Sequence, residues 1–446
     1  MAVRKETVFR PPHEPNVMTI DVQAIADLGP DDRVAFFERD AGIEGVREPV
    51  RDIVDRVRTE GDVAVREFTS EFDGVEVGNL EITDDCERAY DEIDDGVRSA
   101  IETAAANVRE FHEAQLPEDW RREFDTGREL GRRFRPLERV GVYVPGGSAA
   151  YPSSAIMGVV PAVVAGVDHV SVVTPPADEL NPVTLAAIHA AGADAVYSVG
   201  GAQAVAGLAY GTESITSVQK IVGPGNKWVT AAKAEVRGDV EIDFLAGPSE
   251  VVVVADETAD PDLVAAELLA QAEHDPNASV VAVTDDAATA EAVAAAVDER
   301  VGEREREDVI RAALENEASG VLHARSMSEA ILFTEEYAPE HLSIIADDES
   351  LLERIDSAGS VFLGPNTPVA AGDYASGTNH VLPTNGGARV SGGLSVETFL
   401  RSTTVQRLSG EGLADLGETI TTLADAEGLE AHAESVRTRL EDDAGE

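Results

Sequence analysis

Apolar and polar positions along the chain change their period twice. From Arg47 to Phe72 the apolar residues recur at helical spacing, with Gly61 near the middle, and Val97 to Gln115 predicts a second helix. Val140 to Val144 is then a short apolar run ending in Pro145-Gly146-Gly147. Beyond it, strand-like runs at His169–Thr174, Asp194–Ser198, Gln219–Val222 and Val240–Asp243 alternate with helical segments such as Asn181–Ala191 and Gly201–Tyr210. After Gly247-Pro248 the alternation resumes with strand Glu250–Ala255, helix Pro261–His274, strand Ser279–Thr284 and a long helical stretch, Asp286–Asn316. Strands follow near Gly320–His323, Leu342–Ala346 and Ser360–Leu363. From about Ser395 the tail reads as a strand, Thr403–Leu408, and two helices, Leu413–Ala424 and Leu429–Leu440. Alternation of this kind builds βαβ units, so the fold class is α/β with two doubly wound parallel sheets.

The chain lacks a GxGxxG after its first strand, but three turns between strand and helix are glycine-rich: Gly146-Gly147, Gly200-Gly201 and Gly223-Pro224-Gly225-Asn226. Glycine lets backbone N–H groups approach a phosphate at a helix N-terminus, although a single such turn is usually only a turn. Three in one stretch favour a nucleotide or phosphate ligand. Gln271 and His274 share a helix face and offer oxygen and nitrogen donors that suit Zn²⁺. Taken alone, that pair reads more simply as a histidine at the negative end of a helix dipole. Glu340-His341 lies between a helix and a strand and can divide acid/base work, although an isolated Glu-His pair is usually a solvated one. Gly372–Thr384 is polar and glycine-punctuated, the composition of a site loop or of a loop that satisfies its own backbone. Glu427 and His432 lie in what otherwise reads as a surface helix.

Charge then narrows the partners. The 446 residues allow about three domains. They carry 85 carboxylates against 35 Lys and Arg, a net charge of −50. Such a chain repels nucleic-acid phosphates and anionic lipid, so neither is expected as a partner. Only Lys5, Lys220, Lys227 and Lys233 are lysines; the other bases are arginine. Many carboxylates, few lysines and many alanines describe a surface that stays hydrated in concentrated salt. The single cysteine, Cys86, excludes an internal disulfide and a cysteine-based zinc module. The apolar stretch Met157–Val167 is too short to span a bilayer and contains Pro161, and Met1–Pro15 has no signal-peptide core. A cytoplasmic location is expected.

Together the motifs resemble histidinol dehydrogenase. The likeness runs from about Val140 to His432. It rests on Gly141-Val-Tyr-Val-Pro-Gly-Gly147 with Tyr151-Pro-Ser-Ser154, Gly200-Gly-Ala-Gln-Ala-Val205, Val222-Gly-Pro-Gly-Asn226 and Ala246-Gly-Pro-Ser-Glu250. Gln271-Ala-Glu-His274, Pro339-Glu-His341 and Gly372-Asp-Tyr-Ala-Ser-Gly-Thr-Asn-His380 complete it in the family's order. The resemblance implies a zinc-containing homodimer with shared active sites that oxidises L-histidinol through L-histidinal to L-histidine with two NAD⁺. It implies NAD contacts from Tyr143, Gln203 and Asn226, and zinc ligands Gln271, His274 and Asp373, with His432 completing the site from the partner. It places Ser249, Gln271, His274, His341, Asp373, Glu427 and His432 around the substrate, with Glu340 and His341 as the acid/base pair.

The expected organisation is therefore two Rossmann-like doubly wound domains, a small N-terminal helical arm (1–35) and a C-terminal tail domain (391–446) reaching the partner's site. Residues 36–139 and 251–390 would form one α/β domain and 140–250 the NAD-contacting one. The competing readings are a relative acting on another small polar alcohol, a zinc hydrolase with Glu340 as base, and a silent binding protein.

Overall fold

The computed structural model describes residues 20–443 apart from 40, 126 and 147–149. The first nineteen residues of the expected N-terminal arm, Gly147 and residues 444–446 therefore lie outside it. The fourteen strands of the described residues are β1 (Val22–Ala24), β2 (Trp120–Asp125), β3 (Arg128–Pro136), β4 (Arg139–Tyr143), β5 (His169–Thr174), β6 (Ala195–Ser198), β7 (Lys220–Val222), β8 (Glu241–Ile242), β9 (Glu250–Ala255), β10 (Ser279–Thr284), β11 (Gly320–His323), β12 (His341–Ile345), β13 (Ser360–Leu363) and β14 (Leu400–Leu408).

Two parallel sheets dominate. One has the order β6-β5-β4-β7-β8 and the other β1-β11-β10-β9-β12-β13. Numbered within each unit, both run 3-2-1-4-5, the doubly wound order, and the second carries β1 as an added edge strand. Their central strands are apolar runs buried on both faces, as parallel strands covered by helices must be. In each sheet the winding reverses beside the first strand: between β4 and β7, and between β9 and β12.

Several expectations change. The helix expected over Arg47–Phe72 is two helices, Arg47–Glu60 and Asp62–Asp73. Gly61 breaks it at φ 58°, and a Cβ there would come within 2.4 Å of the Glu213 carboxylate, which accepts the Asp62 N–H. The stretch Asp286–Asn316 likewise divides into Ala287–Val301 and Glu307–Leu314. The expected N-terminal arm is not separate from Val22 onward, because β1 pairs in register with β11.

The packing also regroups the chain. Residues 46–108 contribute Val50, Val57, Val65, Ile101 and Val108 to cores shared with the five-stranded sheet. The grouping of all of 36–139 with 251–390 does not describe this, since helical burial follows the nearest uncovered sheet face. The third sheet, β14-β3-β2, is antiparallel, and the sequence pattern predicts only part of β14. Every residue of β2 is exposed, and the three strands hold eight arginines and three carboxylates, so no apolar alternation marks them. Among the described residues no helix is long and apolar enough to cross a membrane.

The helix Pro152–Ala165 lies buried between the five-stranded sheet and an outer helix layer, which explains why it is apolar all round. Pro161 has no N–H to give the Met157 carbonyl four residues earlier. Asn379 Nδ2 supplies the missing donor at 2.8 Å. A residue of the Gly372–Thr384 loop is thereby fixed to the other half of the molecule.

Candidate active site

The loop from Asp243 to Ser249 leaves the C-terminal end of β8 and enters the N-terminal end of β9. Seven residues reach at most about 25 Å, so this joint sets the C-terminal edge of one sheet near the N-terminal edge of the other. Thr230 Oγ1 donates to the Ala246 carbonyl, and the Gly247 N–H donates to Thr384 Oγ1, which draws the two edges together.

At the first edge stand the residues expected to meet NAD. Tyr143 ends β4, and its buried hydroxyl accepts the Gly201 N–H at 3.1 Å. Burial pushes this phenol up to about 12. Gln203 is buried in the first turn of helix Gly201–Tyr210, and its Oε1 has no hydrogen-bond partner. Asn226 caps helix Lys227–Val236, accepting from the Trp228 and Val229 N–H groups. Tyr143 and Asn226 thus flank the reversal between β4 and β7, where doubly wound sheets bind nucleotides.

The Gly223–Asn226 turn is clamped from beneath. Gly223 sits at φ 110°, and a Cβ there would strike the Tyr143 carbonyl at 2.3 Å. Its N–H donates to Asp243 Oδ2 at 2.8 Å, its carbonyl accepts from Lys233 Nζ at 3.0 Å, and Lys233 and Asp243 pair with each other, both buried. Lys233→Met would strand the Asp243 carboxylate without a counterion. The variant is expected to lose about 3–5 kcal/mol of unfolding free energy by denaturant titration in molar salt, whereas an unchanged midpoint would show that the pair is dispensable.

At the second edge Glu340 and His341 enter β12, both buried. The Glu250 N–H donates to Glu340 Oε2 at 2.8 Å, and the Glu250 carbonyl lies 3.1 Å from His341 Nδ1. A carbonyl only accepts, so His341 donates from Nδ1 and turns Nε2 toward the Asp373 carboxylate, 3.5 Å away. That distance is too long for a good hydrogen bond, and Nε2 is a buried nitrogen without a partner. Burial raises Glu340 above the usual carboxylate range. Burial alone would lower His341, but Glu340 and Asp373 overcome it and raise it.

His274 and Asp373 are close enough to act on each other and on His341. The helix expected over Pro261–His274 ends at Ala272, which leaves His274 two residues beyond it, while Gln271 is buried in the last turn. Asp373 lies on the short helix Val369–Tyr374. Ser249 is half-buried just before β9, its carbonyl accepting the Ser279 N–H.

Two further residues belong to this cluster and were missed in the sequence. Glu267, one turn before Gln271, accepts the Val369 N–H at 3.0 Å and so ties Asp373's helix to Gln271's. His380 Nδ1 lies 2.9 Å from the Asp373 carbonyl. His380 stands inside a quoted motif, but nothing in its spacing assigns it a partner. Glu427 and His432 are not drawn in. Both are exposed where helices Gly410–Ala426 and Glu430–Asp443 meet, and among the described residues neither side chain makes a hydrogen bond or ion pair.

Residues 38–440 match the family model of histidinol dehydrogenase. The chain belongs to the histidinol dehydrogenase family. It is 74% identical over 95% of its length to the whole of a histidinol dehydrogenase from Haloarcula marismortui, and 73% identical, with the same coverage, to one from Halobacterium salinarum. The crystal structure of histidinol dehydrogenase from Elizabethkingia anophelis superposes with a TM-score of 0.91 at 35% identity, covering 96% of this chain and 99% of that one. The protein is accordingly an oxidoreductase, and its mixed α/β fold with parallel sheets is that of histidinol dehydrogenase.

The donor chemistry at the second edge fits the zinc that the resemblance implies. Gln271 oxygen, His274 nitrogen and Asp373 oxygen form a sulfur-free set suited to a borderline cation. Among the described residues no three His, Cys, Asp or Glu side chains form a metal cluster; one of the three donors is an amide, and His432 stands apart. The first edge fits a dinucleotide through the unpaired Gln203 oxygen and the open turn at Asn226.

Proposed function

We propose that this protein is an NAD-dependent, zinc-containing enzyme that oxidises L-histidinol through L-histidinal to L-histidine, the last steps of histidine biosynthesis. The observation that carries this reading is the convergence, at the joined edges of two sheets, of a buried Glu-His pair with His274 and Asp373. Alcohol to acid is a four-electron change, so two hydrides leave and one water enters. Tyr143, Gln203 and Asn226 would hold NAD⁺, which would supply the hydride acceptor. Zinc held by Gln271, His274 and Asp373 would fix the substrate's imidazole and amine as a template.

The chain's own groups move the protons. His341 takes the hydroxyl proton on Nε2 in the first oxidation, because Nδ1 is held against the Glu250 carbonyl and Nε2 is the nitrogen left facing the site. Glu340, made a stronger base by its burial, takes in its ionised form a proton from the water that adds to the aldehyde. Burial of both groups keeps bulk water from the aldehyde between the two steps. Ser249 and the partner's Glu427 and His432 would complete the substrate's surroundings in a homodimer, which accounts for the exposure of the last two within one chain. The domain division that follows is an N-terminal arm joined to 251–390, a second unit of about 41–250, and a tail from 391, in a cytoplasmic enzyme.

The test is NADH formation from L-histidinol in high-salt buffer, expected to yield two NADH for each histidine. Chelation is expected to stop turnover and added Zn²⁺ to restore it. Full activity in metal-free protein would remove zinc from the reading, and no NADH with any alcohol would revive a hydrolase.

A further inference from the structure

Arg39 lies far from the acid/base pair in sequence, between helices Pro30–Phe37 and Arg47–Glu60, yet its guanidinium is buried beneath that pair. Its Nε donates to Glu250 Oε1 at 2.7 Å and its Nη2 to Glu250 Oε2 at 3.2 Å, a bidentate pair with both side chains almost fully enclosed. Nη2 also donates to the Tyr337 carbonyl at 3.0 Å, Nη1 to the Phe36 carbonyl, and the guanidinium carbon stands 3.6 Å from the centre of the Tyr337 ring. Glu250 Oε1 additionally accepts the Asn385 N–H at 2.9 Å.

These contacts close on the chemistry from both sides. Glu250 is the residue whose N–H holds Glu340 and whose carbonyl orients His341. Tyr337 ends the helix that delivers Glu340, and Ala338 after it adopts φ 51°, a conformation costly for alanine and sustained only by its surroundings. One cation therefore fixes the strand that binds the pair and the turn that presents it.

We propose that Arg39 is a positioning residue for the histidinol oxidation, holding Glu250 and Tyr337 so that Glu340 and His341 meet the substrate in register. This rests on the function proposed above. Fixing the reacting groups is worth about 100-fold in rate per ångström of misplacement, so the effect falls on kcat and not on substrate affinity.

The decisive variant is the double substitution Arg39→Met with Glu250→Gln. Removing both charges leaves no stranded ion, and the amide introduced at position 250 can still accept from Asn385 and keep its backbone bonds. The double variant is expected to melt like the wild type while kcat falls about 100-fold, with KM for L-histidinol and NAD unchanged. Recovery of wild-type kcat together with stability would overturn the proposal and leave a purely structural ion pair. If the double variant does not fold, Arg39→Lys decides, since it keeps the charge but not the fork: lowered kcat at unchanged KM supports positioning, and wild-type kcat overturns it. The wild-type control separates the two readings. No NADH from the wild type fails the proposed function, whereas active variants beside an active wild type fail this one.

Discussion

Glu340→Gln is expected to cut the conversion of L-histidinal to L-histidine by about 10²–10⁴-fold, the range over which a positioned acid/base group acts. The substitution is nearly isosteric, and the amide oxygen can still accept the Glu250 N–H that Glu340 Oε2 accepts now. What disappears is the capacity to exchange a proton with the attacking water. The alcohol step should suffer less, because His341 retains its own anchor on the Glu250 carbonyl and its free Nε2. Rates measured separately from L-histidinol and L-histidinal, with the number of NADH released per substrate, check this. Equal loss in both halves would deny Glu340 its role with water.

Dialysis from molar KCl into dilute buffer is expected to abolish both helical circular dichroism and activity. With a net charge of −50, folding confines the carboxylates in a small volume. At 1 M salt the screening length is about 3 Å and neighbouring charges scarcely feel one another; at 0.01 M it is about 30 Å and the repulsion spans the molecule. The arginines cannot offset this, because many are already engaged. Arg56, for example, lies between Glu60 and Glu67, and such exposed pairs contribute little each. An unchanged spectrum in dilute buffer would contradict the prediction.

What the sequence reveals depends on whether burial leaves a pattern. β9 and β10 are legible because both their faces are covered, so Val251–Val254 and Val280–Val283 read as unbroken apolar runs. β2 and β3 are not, since an exposed, arginine-rich ribbon has no face to hide. The helix break at Gly61 is invisible in periodicity because its cause, the Glu213 carboxylate, arrives from a distant loop. The same division holds at the site. Gln271, His274, Glu340, His341 and Asp373 stand in short motifs, so the sequence could single them out as candidates. Glu267 reaches Val369 across 102 residues and Arg39 reaches Glu250 across 211, and no local spacing announces a partner that far away.

Pro161 carries a different consequence. By withholding one hydrogen from its own helix it leaves the Met157 oxygen open, and the amide of Asn379, six residues after Asp373, occupies it. The helix belongs to the half that would hold the dinucleotide, and the loop to the half that would hold the metal. A gap in one ladder thus serves as the peg on which the other half hangs the segment that follows Asp373. The spacing between hydride acceptor and substrate in the proposed reaction would then be gauged, in part, by a bond that an unbroken helix would keep for itself.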